Sequence, residues 1–182
     1  FFSLALAGVI NGQNIIDGTN GLSGFTSLII FLNILVIAHY VDDQMIINLC
    51  CFFLLSIIIF LLFNYPFGKI FLGDTGSYFL GFFSGYLIIY TFGKYENLPT
   101  WIAVIILFYP SFEVIFSYLR KILSKKSPFK PDSDHLHLKV FFLLSKGNLK
   151  NKKYNNLVAP LLSIIWLTPL LFVYLSLKEN FL

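Results

Sequence analysis

Apolar residues run through this chain in blocks and do not alternate with polar ones. Six stretches read as helical spans: residues 1–10, a truncated one, then 23–40, 45–63, 76–92, 100–118 and 155–176. A helix needs about 20 mostly apolar residues to cross the hydrocarbon core of a bilayer. Lipid offers no partners to backbone N–H and C=O groups, and a helix satisfies its own. A transmembrane β-barrel would show alternating polarity, which these stretches lack. The pattern therefore predicts an all-α fold, a polytopic transmembrane helical bundle of about six spans forming one membrane domain over residues 1–182.

Composition agrees. The chain is 57% apolar and 19% aromatic with only 12% charged residues, against about 25% charged in a soluble domain. The first residue is Phe1, inside an apolar run, which reads as the later part of a longer chain. No basic segment precedes that run and no small-residue cleavage site follows it, so it does not read as a signal peptide. Cys50 and Cys51 are adjacent, with neither disulfide nor metal spacing, and read as packing or lipid-facing residues.

The net charge of +4 matters less than its placement. Arg120 and most of the lysines fall in 119–153, and Lys69 in 64–75. The connection 41–44 has no base and 93–99 has only Lys94. The positive-inside rule puts 11–22, 64–75 and the basic loop 119–153 in the cytoplasm and the C-terminus outside. Those same three connections hold the unusual polar residues, so any chemistry faces the cytoplasm. Asp42 and Asp43, on the other side, read as a solvated outer loop, and His39 as an interfacial residue.

Residues 11–22 read NGQNIIDGTNGL. Asn11, Asn14 and Asp17 are spaced to line one helical face, and Gly18 and Gly21 end the helix and allow close backbone approach. Amides and a carboxylate suit a nucleobase or a sugar; the alternative is a polar cap at the membrane surface. Residues 64–77 read NYPFGKIFLGDTGS. Asp74, at a helix start, suits a phosphate-bound Mg²⁺; the alternative is plain helix capping by Asp74, Thr75 or Ser77. Asn64 and Lys69 strengthen the functional reading. Residues 127–137 read SPFKPDSDHLH and follow Arg120. His135 and His137 are too few for a zinc site and fit a phosphate site better, with Arg120 as a bidentate phosphate partner. The lysines of 146–153 orient the protein and attract anionic lipid. Glu113, near the cytoplasmic end of an apolar run, is either an ion-pair partner for the basic end or a site residue.

In this order and on one side, the three segments resemble the polyprenyl-phosphate N-acetylhexosamine-1-phosphate transferase superfamily, of the glycosyltransferase family 4 type. The third segment is closer to the WecA branch than to the MraY branch, whose histidines are consecutive. Asn20 stands where many members have Asp, and Leu138 where a third His is expected. The resemblance implies catalytic roles for Asp74, Asp17, His135 and His137, with Mg²⁺ (or Mn²⁺) at Asp74. It implies substrate contacts at Asn11, Asn14, Asn20, Asn64, Lys69 and Arg120. The implied reaction moves an N-acetylhexosamine 1-phosphate from a UDP-sugar to undecaprenyl phosphate and releases UMP, the initiating step of cell-wall or surface-polysaccharide synthesis. Implied partners are the UDP-N-acetylhexosamine, the polyprenyl phosphate lipid, the bacterial inner membrane and a homodimer copy, with no nucleic acid. Members carry adjacent aspartates in an earlier cytoplasmic loop, which would precede Phe1, so this stretch alone is expected to be inactive. A transporter or non-catalytic lipid-binding protein is the competing reading; it would bury polar groups at mid-membrane, whereas these cluster at helix ends.

Overall fold

The computed structural model describes residues 2–125, 127, 134–147 and 154–179. Asp132, Lys126, Lys130, Lys150, Lys152 and Lys153 of the basic loop lie outside them. The described residues form helices and turns with no strand: α1 (Phe2–Ile15), α2 (Leu22–Tyr40), α3 (Gln44–Asn64), α4 (Gly73–Lys94), α5 (Thr100–Ile106), α6 (Phe108–Leu123), α7 (Leu136–Leu144), α8 (Asn155–Leu161) and α9 (Ser163–Glu179). This is the expected all-α membrane bundle.

Leu22–Tyr40, Gln44–Asn64 and Asn155–Ser176 are long and apolar enough to cross a membrane, and α5 with α6 makes a fourth if the bent pair is one span. The helix α4 is long enough, but its glycines, serines and tyrosines dilute its apolarity. The stretch 100–118, expected as one straight span, is broken at Leu107 and bent by 72°. Pro110 accounts for the bend. It has no N–H to give the carbonyl of Ile106, and its ring collides with that carbonyl in a straight helix.

Against lipid there is little hydrophobic drive for helices to associate, so close packing and polar contacts must do it. The helix α1 packs on α4 and α6, and α2 on α3 and α9. Small residues permit the closest approaches. A Cβ placed on Gly12 would lie 2.2 Å from the carbonyl oxygen of Pro110, and one on Gly81 would lie 2.8 Å from Ile10 Cα. Backbone cannot yield as a side-chain tip can, so Gly12→Ala should separate α1 from α6 and cost about 2 kcal/mol, the usual scale of overpacking. A melting curve in detergent reads this directly, and an unchanged midpoint would contradict it.

One apolar cluster lies among α2, α3, α4 and α5, with Phe31 stacked on Phe53 at 4.6 Å. A second gathers Ile16, Leu22, Tyr109, Phe141, Val158 and Trp166. Ile16 and Leu22 bracket the α1–α2 turn, so this cluster fixes both ends of a polar loop.

At the opposite end of the bundle the reading of Asp43 is corrected. It is not solvated: it is 5% exposed, caps α3 by accepting from the Ile46 N–H at 3.2 Å, and pairs with Lys94 Nζ at 2.7 Å. The Tyr95 hydroxyl also donates to it, at 2.9 Å. The Lys94 ammonium, with these other donors, holds the Asp43 carboxyl down to about 2. The two short connections 41–43 and 95–99 are thus clasped together. Asp42 stays exposed, as expected.

Candidate functional site

The turn of residues 16–21 is the hub of the other end. The helix α1 ends at Ile15 and α2 starts at Leu22, and Gly21 between them sits at φ 80°. A side chain is strained there, which is why glycine occupies the position. Asn64 pins this turn. Its Oδ1 accepts from the Gly21 N–H at 2.6 Å, and its Nδ2 donates to the Ile70 carbonyl at 2.7 Å. Asn64 is buried at 2% exposure, so the Gly21 bond is shielded from water and the Ile70 bond partly so. Asn20 works alongside it: its Nδ2 donates to the Pro66 carbonyl, and its N–H donates to Asn155 Oδ1, each at 2.8 Å. Asn20 and Asn64, expected at the substrate, therefore spend their bonding on the loops that shape the site.

Two side chains of the first segment reach the second. The Gly73 N–H donates to Asp17 Oδ2 at 2.9 Å. Ser77 Oγ donates to Asn14 Oδ1 at 2.8 Å, and Asn14 Nδ2 approaches the Tyr78 hydroxyl at 3.2 Å. Asn14 lies on α1 and Asp17 in the turn beyond it, so the single helical face expected for them is not formed, although both reach the start of α4. Asn11 does not join them: its amide donates to Ala7 O of its own helix at 2.7 Å. Burial pushes the Asp17 carboxyl up to about 6, with backbone N–H donors at Gly73 and Leu72 opposing the shift.

That value has a consequence for stability. An unfolded Asp titrates near pH 4 (about 3.9). Between there and pH 6 the folded protein binds more protons at this site than the unfolded one, so stability falls as pH rises through the window. In metal-free detergent buffer, Asp17→Asn should gain on the wild type in melting temperature from pH 4 to above 6, because Asn keeps an acceptor for Gly73 without the buried charge. A constant difference would contradict this.

Asp74 lies beside Gly73 in the first turn of α4 and is exposed. The N-cap residue Leu72 makes no side-chain cap bond, and the first N–H of α4 is taken by Asp17 from the 16–21 turn, so the expected capping by Asp74, Thr75 or Ser77 is not realised. Among the described residues no hydrogen bond or ion pair is recorded for the Asp74 carboxylate. Lys69 is exposed, with its ammonium 5.6 Å from the centre of the Phe67 ring.

The third segment meets the first through His137. A Cβ on Gly18 would stand 3.1 Å from His137 Nε2, so the imidazole lies against the turn next to Asp17. His137 Nδ1 is 3.2 Å from Glu113 Oε1. His135 stacks on His137 with centroids 5.8 Å apart and planes at 6°, and its Nδ1 is 3.8 Å from Glu113 Oε2. Arg120 pairs with Asp134 at 2.8 Å, which ties the end of α6 to the residue just before His135. Sequence reasoning left Glu113 undecided; it is fully buried and sits under both histidines. Asn155 was not singled out, and Ser77 only as a candidate helix cap. Isolated amides and hydroxyls at helix ends carry no signal until their partners are known.

Asp17, exposed Asp74 and the buried His137 thus gather around the 16–21 turn at one end of the bundle, with Asn14 beside them. Such a set can accept hydrogen bonds, hold a cation through carboxylate oxygens and present an imidazole to an anion. Among the described residues, no group of three or more His, Cys, Asp and Glu side chains gathers as a metal cage.

The chain is 36% identical over 137 residues to a probable undecaprenyl-phosphate N-acetylglucosaminyl 1-phosphate transferase of Bacillus subtilis, covering 74% of this chain and 38% of that protein. It is 34% identical over 141 residues to an undecaprenyl-phosphate alpha-N-acetylglucosaminyl 1-phosphate transferase of Thermotoga maritima, covering 75% and 41%. A phospho-N-acetylmuramoyl-pentapeptide-transferase of Leuconostoc mesenteroides is 43% identical over 76 residues, covering 42% and 24%. The chain spans about two fifths of the length of the first two relatives. No solved structure matches it significantly. The glycosyl transferase family 4 pattern matches residues 1–92, the half that contains the Asp17 turn and the Asp74 helix start, and the chain belongs to that family.

Proposed function

We propose that the protein containing this chain transfers N-acetylhexosamine 1-phosphate from a UDP-sugar to undecaprenyl phosphate, at the cytoplasmic face of the plasma membrane. One observation carries the proposal: the turn around Asp17 and Gly18 touches both the Gly73–Asp74 helix start and the His137 imidazole. The relatives named above support the substrate class.

An oxygen of the lipid phosphate attacks the β-phosphorus of the UDP-sugar. The bond from that phosphorus to the bridging oxygen breaks, and UMP leaves with that oxygen. Phosphoryl transfer asks a protein mainly for positioning and charge stabilisation. His137 and His135, stacked at the start of α7, present imidazole to phosphate oxygens, and Asn14 and Asp17 offer an amide and a carboxylate to the nucleotide or sugar. Asn20 and Asn64 keep the two loops in register beneath them.

Mg²⁺ is commonly held by one or two carboxylates together with substrate oxygens and water. Exposed Asp74, next to the residue that bonds Asp17, fits that mode, and among the described residues no all-protein cage gathers. Bound at Asp74, Mg²⁺ would supply positive charge to the diphosphate. With these groups at one end of a bundle of apolar helices, a lipid phosphate would reach them while its tail stays in the bilayer.

The test is UMP release by the full-length protein in membranes supplied with UDP-N-acetylglucosamine. Release that requires added undecaprenyl phosphate is expected. UMP formation at the same rate without the lipid, or none with it, would contradict the proposal.

A further inference from the structure

Glu113 lies inside α6 with its side chain fully buried. A buried carboxylate costs several kcal/mol unless donors compensate it. Here donors come from two elements. On α6 the Tyr109 hydroxyl donates to Oε1 at 3.3 Å. From the start of α7 the Leu136 N–H donates to Oε2 at 3.3 Å, and His137 Nδ1 lies 3.2 Å from Oε1. His135 Nδ1 approaches Oε2 at 3.8 Å.

An ionised carboxylate only accepts hydrogen bonds, so its partner nitrogen in His137 is the one that carries hydrogen. This turns the other nitrogen, Nε2, outward to the Gly18 backbone, where a Cβ would be 3.1 Å away. Capping α7 would account for the Leu136 bond alone; it does not call for an imidazole on the same carboxylate.

We infer that Glu113 is a positioning residue, gripping His137 by Nδ1 so that Nε2 is presented at the Asp17–Gly18 turn. The inference rests on the reading of His137 as a phosphate partner in the proposed transfer. Glu113 touches no reacting atom and acts through the ring. It fixes which nitrogen faces the substrate and, with the stacked His135 ring, holds the ring plane.

The experiment uses the full-length protein with isotope-labelled histidine nitrogens, the His137 signal being the one lost in His137→Gln. The wild type should show hydrogen on His137 Nδ1, and Glu113→Ala should release that fixed state. In parallel, Glu113→Gln should lower kcat for UMP release roughly 10- to 100-fold, the usual effect of losing a partner that orients a histidine. KM for UDP-N-acetylglucosamine should hold, and Glu113→Asp should recover part of the rate. A wild-type His137 with bare Nδ1, or full kcat in Glu113→Gln, would overturn the inference. A wild type that releases no UMP would instead sink the proposed function, while the nitrogen spectrum would still decide the role of Glu113. If Glu113→Gln does not fold, the wild-type spectrum decides.

Discussion

Asp74→Asn in the full-length protein should lower UMP release by about 10²- to 10⁴-fold while leaving the melting temperature essentially where it was. The two halves of this expectation have separate causes. Asp74 is exposed in the first turn of α4, and surface substitutions away from buried networks usually change stability by no more than about 0.5 kcal/mol. The fold therefore does not depend on its charge. The proposed reaction does, because neutralising developing charge is commonly the largest single contribution to such transfers, with losses on this scale when one group is removed. An amide has the shape of the carboxylate without its charge, so the substitution isolates the electrostatics. Undiminished turnover in Asp74→Asn would remove Asp74 from the chemistry.

Asn64→Ala should behave in the opposite way, with a large loss of stability. Asn64 is buried and binds two backbone groups from different loops, Gly21 N–H and Ile70 C=O. Truncation leaves both without this partner, the Gly21 N–H in a buried position and the Ile70 carbonyl in a partly buried one. Each stranded group costs about 1–3 kcal/mol, so for the two a loss of about 2–6 kcal/mol is expected in a denaturation curve. The residual folded protein should also be slower, since Gly21 ends the turn that carries Asp17. Lys69→Ala, an exposed neighbour, is the control and should melt like the wild type. Equal melting of Asn64→Ala and the wild type would mean that the two loops do not depend on this amide.

Much of this arrangement was legible before any coordinates. Long apolar blocks identify spanning helices because lipid leaves the backbone no other solution. The break between α1 and α2 at residues 16–21 is announced by Gly18 and Gly21, whereas the Asn14–Asp17 spacing suggests a shared helical face that the turn interrupts. The bend at Leu107 was missed because apolarity alone does not register geometry, although Pro110 was a visible cause. Asp43 was misread because a loop acid looks solvated until Lys94, about 50 residues later, is known to fold over it. Asn20 and Asn64 belonged to the right cluster, but an amide reads the same in sequence whether it faces a ligand or a backbone carbonyl. Glu113 could not be resolved at all: its meaning depends on His135 and His137, which reach it from within the basic segment 119–153.

The account stands on one claim, that the Asp17 turn and His137 serve a single substrate. A double-mutant cycle measures this most directly. UMP release would be followed for the full-length wild type, Asp17→Asn, His137→Gln and the double variant, all as kcat/KM. Residues acting together on one ligand are strongly non-additive. The predicted result is a double variant scarcely worse than the poorer single one. Losses that simply multiply would place the two residues at independent sites and contradict the account.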